Sequence, residues 1–258
     1  MDYEQRAEAH QQAMRTRGAS VHRTCTRLTL SSAFLAGNVA DFQEAIQQAP
    51  VISLKSFDRA PAQSTEEANA RRQSMTIARR LFNAAASAST LVEHSRRAAS
   101  LLTEDSARAT WATIKQEDAV SAPIVQFVHG LRNYLVHVDT PPVFLRTAFD
   151  GNRSCVRIAS NELLKWTKWS ASARNFLAAT QSIDIAQVMS AYLITSDGLC
   201  SRLLELLMVD RSKDLADFYT EIDRIDKSAA MEGLQRVHRV TRRFVEISGI
   251  DALARARQ

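Results

Sequence analysis

The stretch Ile77-Ala78-Arg79-Arg80-Leu81-Phe82-Asn83-Ala84-Ala85-Ala86-Ser87-Ala88-Ser89-Thr90-Leu91-Val92 decides the fold class. At about 100° per residue, Ile77, Ala78, Leu81, Phe82, Ala85, Ala88, Leu91 and Val92 share one broad arc. Arg72, Arg79, Asn83, His94 and Arg97 fall on the opposite side. This is amphipathic helical patterning in residues that favour helices. Thr65 is a fitting cap, with Glu66 and Glu67 at the positive end of the dipole. The spacing predicts one helix from Thr65 to about Leu102. Arg96 breaks the pattern by projecting from the apolar arc, where a guanidinium needs a partner. An acid such as Glu162 or Asp197 would supply one; a bound phosphate would be another.

Working outward, residues 1–17 read as a polar helix. Ser31 or Ser32 is expected to cap a second helix through about Gln48, with Phe34, Leu35, Val39, Phe42 and Ile46 as its stripe. Residues 50–64, with Pro50 and Pro61, read as a loop. A helix over 104–120 would be capped by Thr103 or Asp105, and Pro123 opens the next, a favoured place for proline. Val143-Phe144-Leu145-Arg146-Thr147-Ala148-Phe149 and Cys155-Val156-Arg157-Ile158 flank Asp150-Gly151-Asn152, which reads as a β-hairpin. Ser160 is expected to cap a helix over 161–166. Residues 170–180 form another, and Ser182 or Asp184 precedes a strong helix to about Val209. Residues 213–230 and 234–247 read as more polar helices. The expected fold is all-α: a helical bundle with one inserted β-hairpin at about residues 143–158. Residues 1–60 would be an N-terminal helical extension, 61–210 the core with its hairpin, and 211–258 C-terminal helices packing on that core.

Composition narrows the function classes. There are 33 basic and 28 acidic residues among 258, a formal charge of +5. That balance permits a polyanionic partner without demanding one. Arginine doublets at Arg71-Arg72, Arg79-Arg80, Arg96-Arg97 and Arg242-Arg243 can track a nucleic-acid backbone, although such doublets are usually solvated helix faces. Cys25, Cys155 and Cys200 include no closely spaced pair, which argues against a disulfide framework or a zinc site and for buried thiols in a reducing cytoplasm. No apolar run approaches the roughly 18 residues of a membrane span. Glu93 and His94 are too few for a metal site, so neither metal nor cofactor is expected.

Near the end of the Pro123 helix stands Arg132-Asn133-Tyr134-Leu135-Val136-His137. Asn133 and His137 are four apart and share a helix face with His129. Arg132 and His137 are five apart, about 140° around an ideal helix. A guanidinium fork matches phosphate oxygens and stays charged. Histidine accepts or gives a proton near neutrality. The pair can hold an RNA phosphodiester while the ribose 2′-hydroxyl attacks it, without a metal. Equally, His137 can cap the last carbonyls while Asn133 holds it. Tyr134, Trp166 and Trp169 can stack a base or fill the core, and Arg96 can add a second phosphate contact.

Phe127-Val128-His129-Gly130-Leu131-Arg132-Asn133-Tyr134-Leu135-Val136-His137 resembles the signature of the HEPN superfamily, an arginine followed by a polar residue and, four to six positions on, a histidine near a helix end. The run Leu81 to Arg96 and the run from Trp169 through Ala173-Arg174-Asn175-Phe176-Leu177 to Tyr192 resemble segments of one group of bacterial HEPN-like proteins. The resemblance spans roughly residues 70–210. It implies a helical homodimer that brings two Arg/His motifs into one cleft, and a metal-independent endoribonuclease. Arg132 would stabilise the scissile phosphate, His137 would position it or transfer a proton, and Asn133 would orient base or phosphate. Apart from the resemblance, the residues themselves offer His129, Tyr134 and Arg96 as substrate-binding. The alternative is a non-catalytic dimerisation or nucleotide-binding module. Either form can be one component of a toxin–antitoxin or antiphage system, with a cognate partner protein.

Overall fold

Three long helices carry buried positions seven residues apart. A computed structural model describes residues 3–48, 65–118, 123–138, 143–148 and 153–225. Helix α1 (Tyr3–Ala13) is followed by α2 (Arg17–Gln47) and α3 (Thr65–Ala99). In α2 the repeat is Val21, Leu28, Leu35 and Phe42, and in α3 it is Ile77, Ala84, Leu91 and Ala98, all buried. Next come α4 (Asp105–Asp118), α5 (Pro123–His137), strands β1 (Val143–Ala148) and β2 (Arg153–Ala159), α6 (Ser160–Leu164), α7 (Ala171–Ala178), β3 (Ser182–Asp184), α8 (Ile185–Asp210) and α9 (Ser212–Ile225). Leu193, Cys200 and Leu207 repeat the spacing in α8. The all-α bundle with an inserted hairpin is the observed architecture among the described residues. The loop over 50–64, the hairpin turn, and the helix over 234–247 lie outside them.

The seven-residue repeat corrects the arc drawn on α3. A straight helix drifts by about 20° per heptad against such a stripe. From Ile77 to Arg96 that accumulates to about 55°. Arg96 therefore turns outward, 71% exposed, and pairs with Glu93 at 2.6 Å on its own helix. Glu162 instead pairs with Lys165, and Asp197 accepts from Ser32. Phe82 moves to the exposed side, while Ala84 takes its place in the core. The same drift brings His94 inward to Ser31.

The second helix begins at Arg17, well before Ser31 and Ser32. Neither serine caps it. Ser31 Oγ donates to the Arg27 carbonyl at 2.8 Å and meets His94 Nδ1. Ser32 Oγ donates to Asp197 Oδ1 at 3.0 Å. These four residues form a polar layer within one compact unit, which comprises Met1–Phe34, Thr90–Gln116 and Asp197–Gln258 in their described parts. The other unit comprises Leu35–Ser89 and Glu117–Ser196. Beside the polar layer, burial pushes the Cys200 thiol up to about 12, with the Asp197 charge adding to the shift. Burial likewise raises Cys25 to about 11.

In the first unit α9 lies against α1 and the start of α2. Gly18 sits where α2 meets α9: a Cβ there would lie 2.0 Å from the Asp214 carbonyl oxygen and 2.5 Å from Phe218 Cβ. One turn on, His22 Nδ1 meets the Tyr219 hydroxyl at 3.0 Å, and its ring packs on Phe218. The entry to α4 is tied by neither Thr103 nor Asp105 in the expected way. Asp210, the last residue of α8, accepts from the Thr103 and Glu104 amides, each at 2.8 Å, and from Thr103 Oγ1 at 3.0 Å.

Burial works against the Asp210 charge, yet these bonds hold its carboxyl below the usual range. A depressed folded value means the contribution is present above the ordinary carboxylate range and is lost as pH falls through the folded value. Asp210→Asn should therefore cost about 1 kcal/mol at neutral pH, as lost caps do. Its deficit should close in acid. Thermal melts at both pH values check this, and a deficit independent of pH would refute it.

The sheet belongs to the second unit. β1 and β2 pair antiparallel, Val143 opposite Ile158 through Ala148 opposite Arg153. β3 extends the hairpin to a three-stranded sheet in the order β1-β2-β3. Ser182 and Asp184 thus lie in a strand, and Asp184 also caps α8 through the Ala186 and Gln187 amides. Val156, Ile158 and Ile183 are buried, so one sheet face closes the core. Ser160 is the first residue of α6, not its cap, because its amide donates to the Gln181 carbonyl and its hydroxyl meets Thr180. Ser170 caps α7 by accepting from the Ala173 amide.

Candidate functional site

Helix α5 is anchored along one side and open at its last turns. Val125, Phe127, Val128, Leu131 and Tyr134 are buried. Spaced by three and four, they form a stripe that burial holds in place. Its foundation is aromatic. Trp169 stacks on Phe127 at 5.5 Å and on Tyr134 at 6.0 Å between ring centroids. Phe127 and Tyr134 are seven apart, so the indole lies between them, over Gly130. A Cβ on Gly130 would come within 2.5 Å of Trp169 Cε3. Trp169 Nε1 donates to the Leu163 carbonyl at 2.7 Å, and Trp166 meets Trp169 edge-on at 4.9 Å.

The anchored stripe leaves Arg132, Asn133 and His137 on the open side. Arg132 is half-buried, whereas Asn133 and His137 are exposed. Arg132 Nη1 donates to Asn133 Oδ1 at 3.1 Å. That neutral acceptor fixes the fork without cancelling its charge. Among the described residues no carboxylate pairs with Arg132, and the His137 ring has no hydrogen-bond partner. Helix geometry places the two about 7.5 Å apart along the axis and 140° apart around it. They flank an exposed helix end instead of pointing at one atom.

The other expected ligands have different surroundings. Tyr134 is 6% exposed, with Trp169 on its face and Trp166 edge-on at 5.8 Å, so no ring face remains for a base. The structure thereby corrects its assignment to substrate stacking: a phenol on the apolar stripe of α5 is drawn into the core. His129 is turned to α8, where its Nε2 lies 3.4 Å from the Tyr192 hydroxyl. It is separated in this way from Asn133 and His137 of its own stripe. Arg96 lies in the other compact unit, paired with Glu93. Arg72 bonds Asn69, and Arg80 bonds the Asp41 carbonyl and Glu44. The doublet at Arg242 lies outside the described residues.

No family model, curated protein or solved structure matches the chain. Its chemistry must be read from the groups themselves. Among the described residues no three His, Cys, Asp or Glu side chains gather as a metal site would require. Among them, too, no helix is long and apolar enough to cross a membrane. The group missed by sequence reasoning is the Phe127–Gly130–Trp169 seat. Its signal was Gly130, since a glycine inside a helix costs about 1 kcal/mol and commonly marks a close approach.

Proposed function

We propose that the chain is a metal-independent endoribonuclease of the HEPN kind, acting through Arg132 and His137. The observation that carries this reading is the open end of α5, where a guanidinium bound only to a neutral amide stands near an imidazole with no partner among the described residues. Arg132 holds the non-bridging oxygens of a phosphodiester. The neighbouring ribose 2′-hydroxyl attacks phosphorus as it loses its proton, and the 5′-oxygen leaves as it gains one. His137 serves as base or acid in that exchange. The products are a 2′,3′-cyclic phosphate and a 5′-hydroxyl, and neither water nor metal enters. Because the two groups flank the helix end, a second copy apposed there gives each its complement, and the protein acts as a homodimer.

The test is incubation of purified protein with mixed-sequence RNA in excess chelator, followed by end-group analysis. Cyclic phosphate ends are expected. Arg132→Ala and His137→Ala should each slow cleavage by roughly 10²–10⁴-fold, the usual range for acid–base and charge-stabilising groups, with little change in melting temperature. Mixing the two inactive variants should restore cleavage, because one of the two shared sites then regains both groups. Intact RNA with folded, dimeric wild type would overturn the reading. A steep fall in melting temperature on Arg132→Ala would favour a non-catalytic helical module instead.

A further inference from the structure

We infer that the outward face of α3 between Asn69 and Asn83 holds single-stranded RNA by its phosphates and by a stacked base. This rests on the proposed action on RNA and names where the strand is held. From Ala68 to Val92 the helix has four arginines and no acid. Arg80 is committed to α2, donating to the Asp41 carbonyl and to Glu44. Gln73 and Ser87, one heptad to either side of Arg80, also meet α2, through the Gln48 carbonyl and Asn38. That row bounds the face. Arg71 is half-buried, whereas Arg72 and Arg79 are exposed. Arg72 Nη2 donates to Asn69 Oδ1 at 3.0 Å, a neutral contact that leaves its charge in place. Among the described residues Arg79 makes no hydrogen bond or ion pair.

Arg72, Met75, Arg79 and Phe82 follow one another by three, four and three, so they share a face. Along the axis Arg72 and Arg79 stand about 10.5 Å apart, as do Met75 and Phe82. Met75 is 61% exposed and Phe82 41%. Neither fills the core, because Ile77, Leu81, Ala84 and Ala88 occupy the buried side of the helix. An acid-free stripe of cations is the electrostatic footprint of a polyanion. Guanidinium forks take phosphate oxygens, and an exposed aromatic ring between them stacks on any base. Asn69 and Asn83 add neutral donors and acceptors at the two ends. A lipid surface would call for more apolar positions than Met75 and Phe82. A docked protein helix would place Arg79 at the centre of its seam, where interfaces are depleted of charge. This stretch of α3 and the end of α5 belong to one compact unit, so a single body presents both the binding face and the Arg132–His137 pair.

The experiment measures binding of a labelled 2′-O-methyl RNA 20-mer, which cannot be cleaved by 2′-hydroxyl attack, to the full chain by fluorescence anisotropy. Each phosphate contact to a single strand contributes about 0.7 to the slope of log affinity against log salt. The Arg72→Ala, Arg79→Ala variant should lower that slope by about 1.4. Between 50 and 200 mM salt the wild type should then lose about 7-fold more affinity than the variant. Phe82→Ala should weaken binding by about 5–140-fold at every salt concentration, with the slope unchanged, and Phe82→Tyr should bind as the wild type does. All three positions are exposed, so melting temperatures should hold. Arg97→Ala, Lys213→Ala removes the same charge from exposed positions off this face and should leave the slope as it is. An unmoved slope in the Arg72, Arg79 variant, an equal fall in the control, or Phe82→Ala binding as tightly as wild type would overturn the inference. So would no RNA binding by the wild type, or equal affinity for a polyglutamate of matched charge or for phosphatidylserine vesicles. Cleavage of ordinary RNA alongside an unmoved slope overturns the α3 face alone. Tight binding that depends on Arg72, Arg79 and Phe82, without cleavage, overturns the catalytic reading alone.

Discussion

Trp169→Ala should lower stability by about 3–5 kcal/mol, the range for truncating a buried tryptophan. The indole contributes three separate things. It stacks on Phe127 and Tyr134 on α5. It covers the bare backbone at Gly130. Its Nε1 satisfies the Leu163 carbonyl. Truncation leaves a slot between two aromatic rings that the helix backbone cannot close. The complementary change is Gly130→Ala. Helix propensity favours alanine by about 1 kcal/mol, but its methyl would lie 2.5 Å from an indole locked on both faces. Overpacking of that kind typically costs 1–3 kcal/mol, so a net loss is expected. In the Trp169→Ala background the methyl has room, and Gly130→Ala should become neutral or stabilising. A double-mutant cycle by denaturant melts checks this. Additive effects would show that the two residues do not share the seat.

Gly18→Ala should be at least as damaging, by about 3 kcal/mol or more. Here the obstacle is backbone: the Asp214 carbonyl oxygen at 2.0 Å from the new Cβ. A side chain can rotate away, whereas a helix must translate. Moving α9 by more than 1 Å would strain the Arg211–Asp214 pair at 2.5 Å and the His22–Tyr219 contact. Each 1 kcal/mol shifts the melting temperature of a chain of this size by roughly 2–4 °C, so a fall of about 6–12 °C is expected. Gly18→Ser should behave alike. An alanine variant that melts with wild type would mean the two helices stand farther apart than described.

Much of the fold was legible because burial obeys period. The extent of α3, α5 beginning at Pro123, and the hairpin followed from apolar spacing and turn residues. What escaped depends on partners remote in sequence. Asp210 serves α4 from the end of α8, some 107 residues away from Thr103, and no local cap signal announces it. Ser31 and Ser32 carried the right chemistry for a cap but spend it across helices. Arg96 was misplaced by a drift of about 20° per heptad, small in one turn and decisive after five. At the candidate site the sequence located the exposed end of α5. It could not separate Tyr134, drawn under the helix by Trp169, from Asn133 beside it, because adjacent residues lie only about 100° apart.

The polar layer in the first unit bears on how the helices choose their alignment. Apolar stripes that recur every seven residues would fit nearly as well after sliding by about 10.5 Å, like a screw advanced by one full thread. Ser31 tolerates such a slide, since Thr24 and Asn38 stand one heptad away on either side. Ser32 does not, because Cys25 and Val39 would then face Asp197. A carboxylate stripped of its hydroxyl donor forfeits roughly 1.5–3 kcal/mol. The Ser32–Asp197 contact thus works as a pawl on the ratchet, and Gln43, which donates to Ser190 Oγ at 2.6 Å between the same two helices, is a second, so that one notch is favoured among several that grease alone would accept.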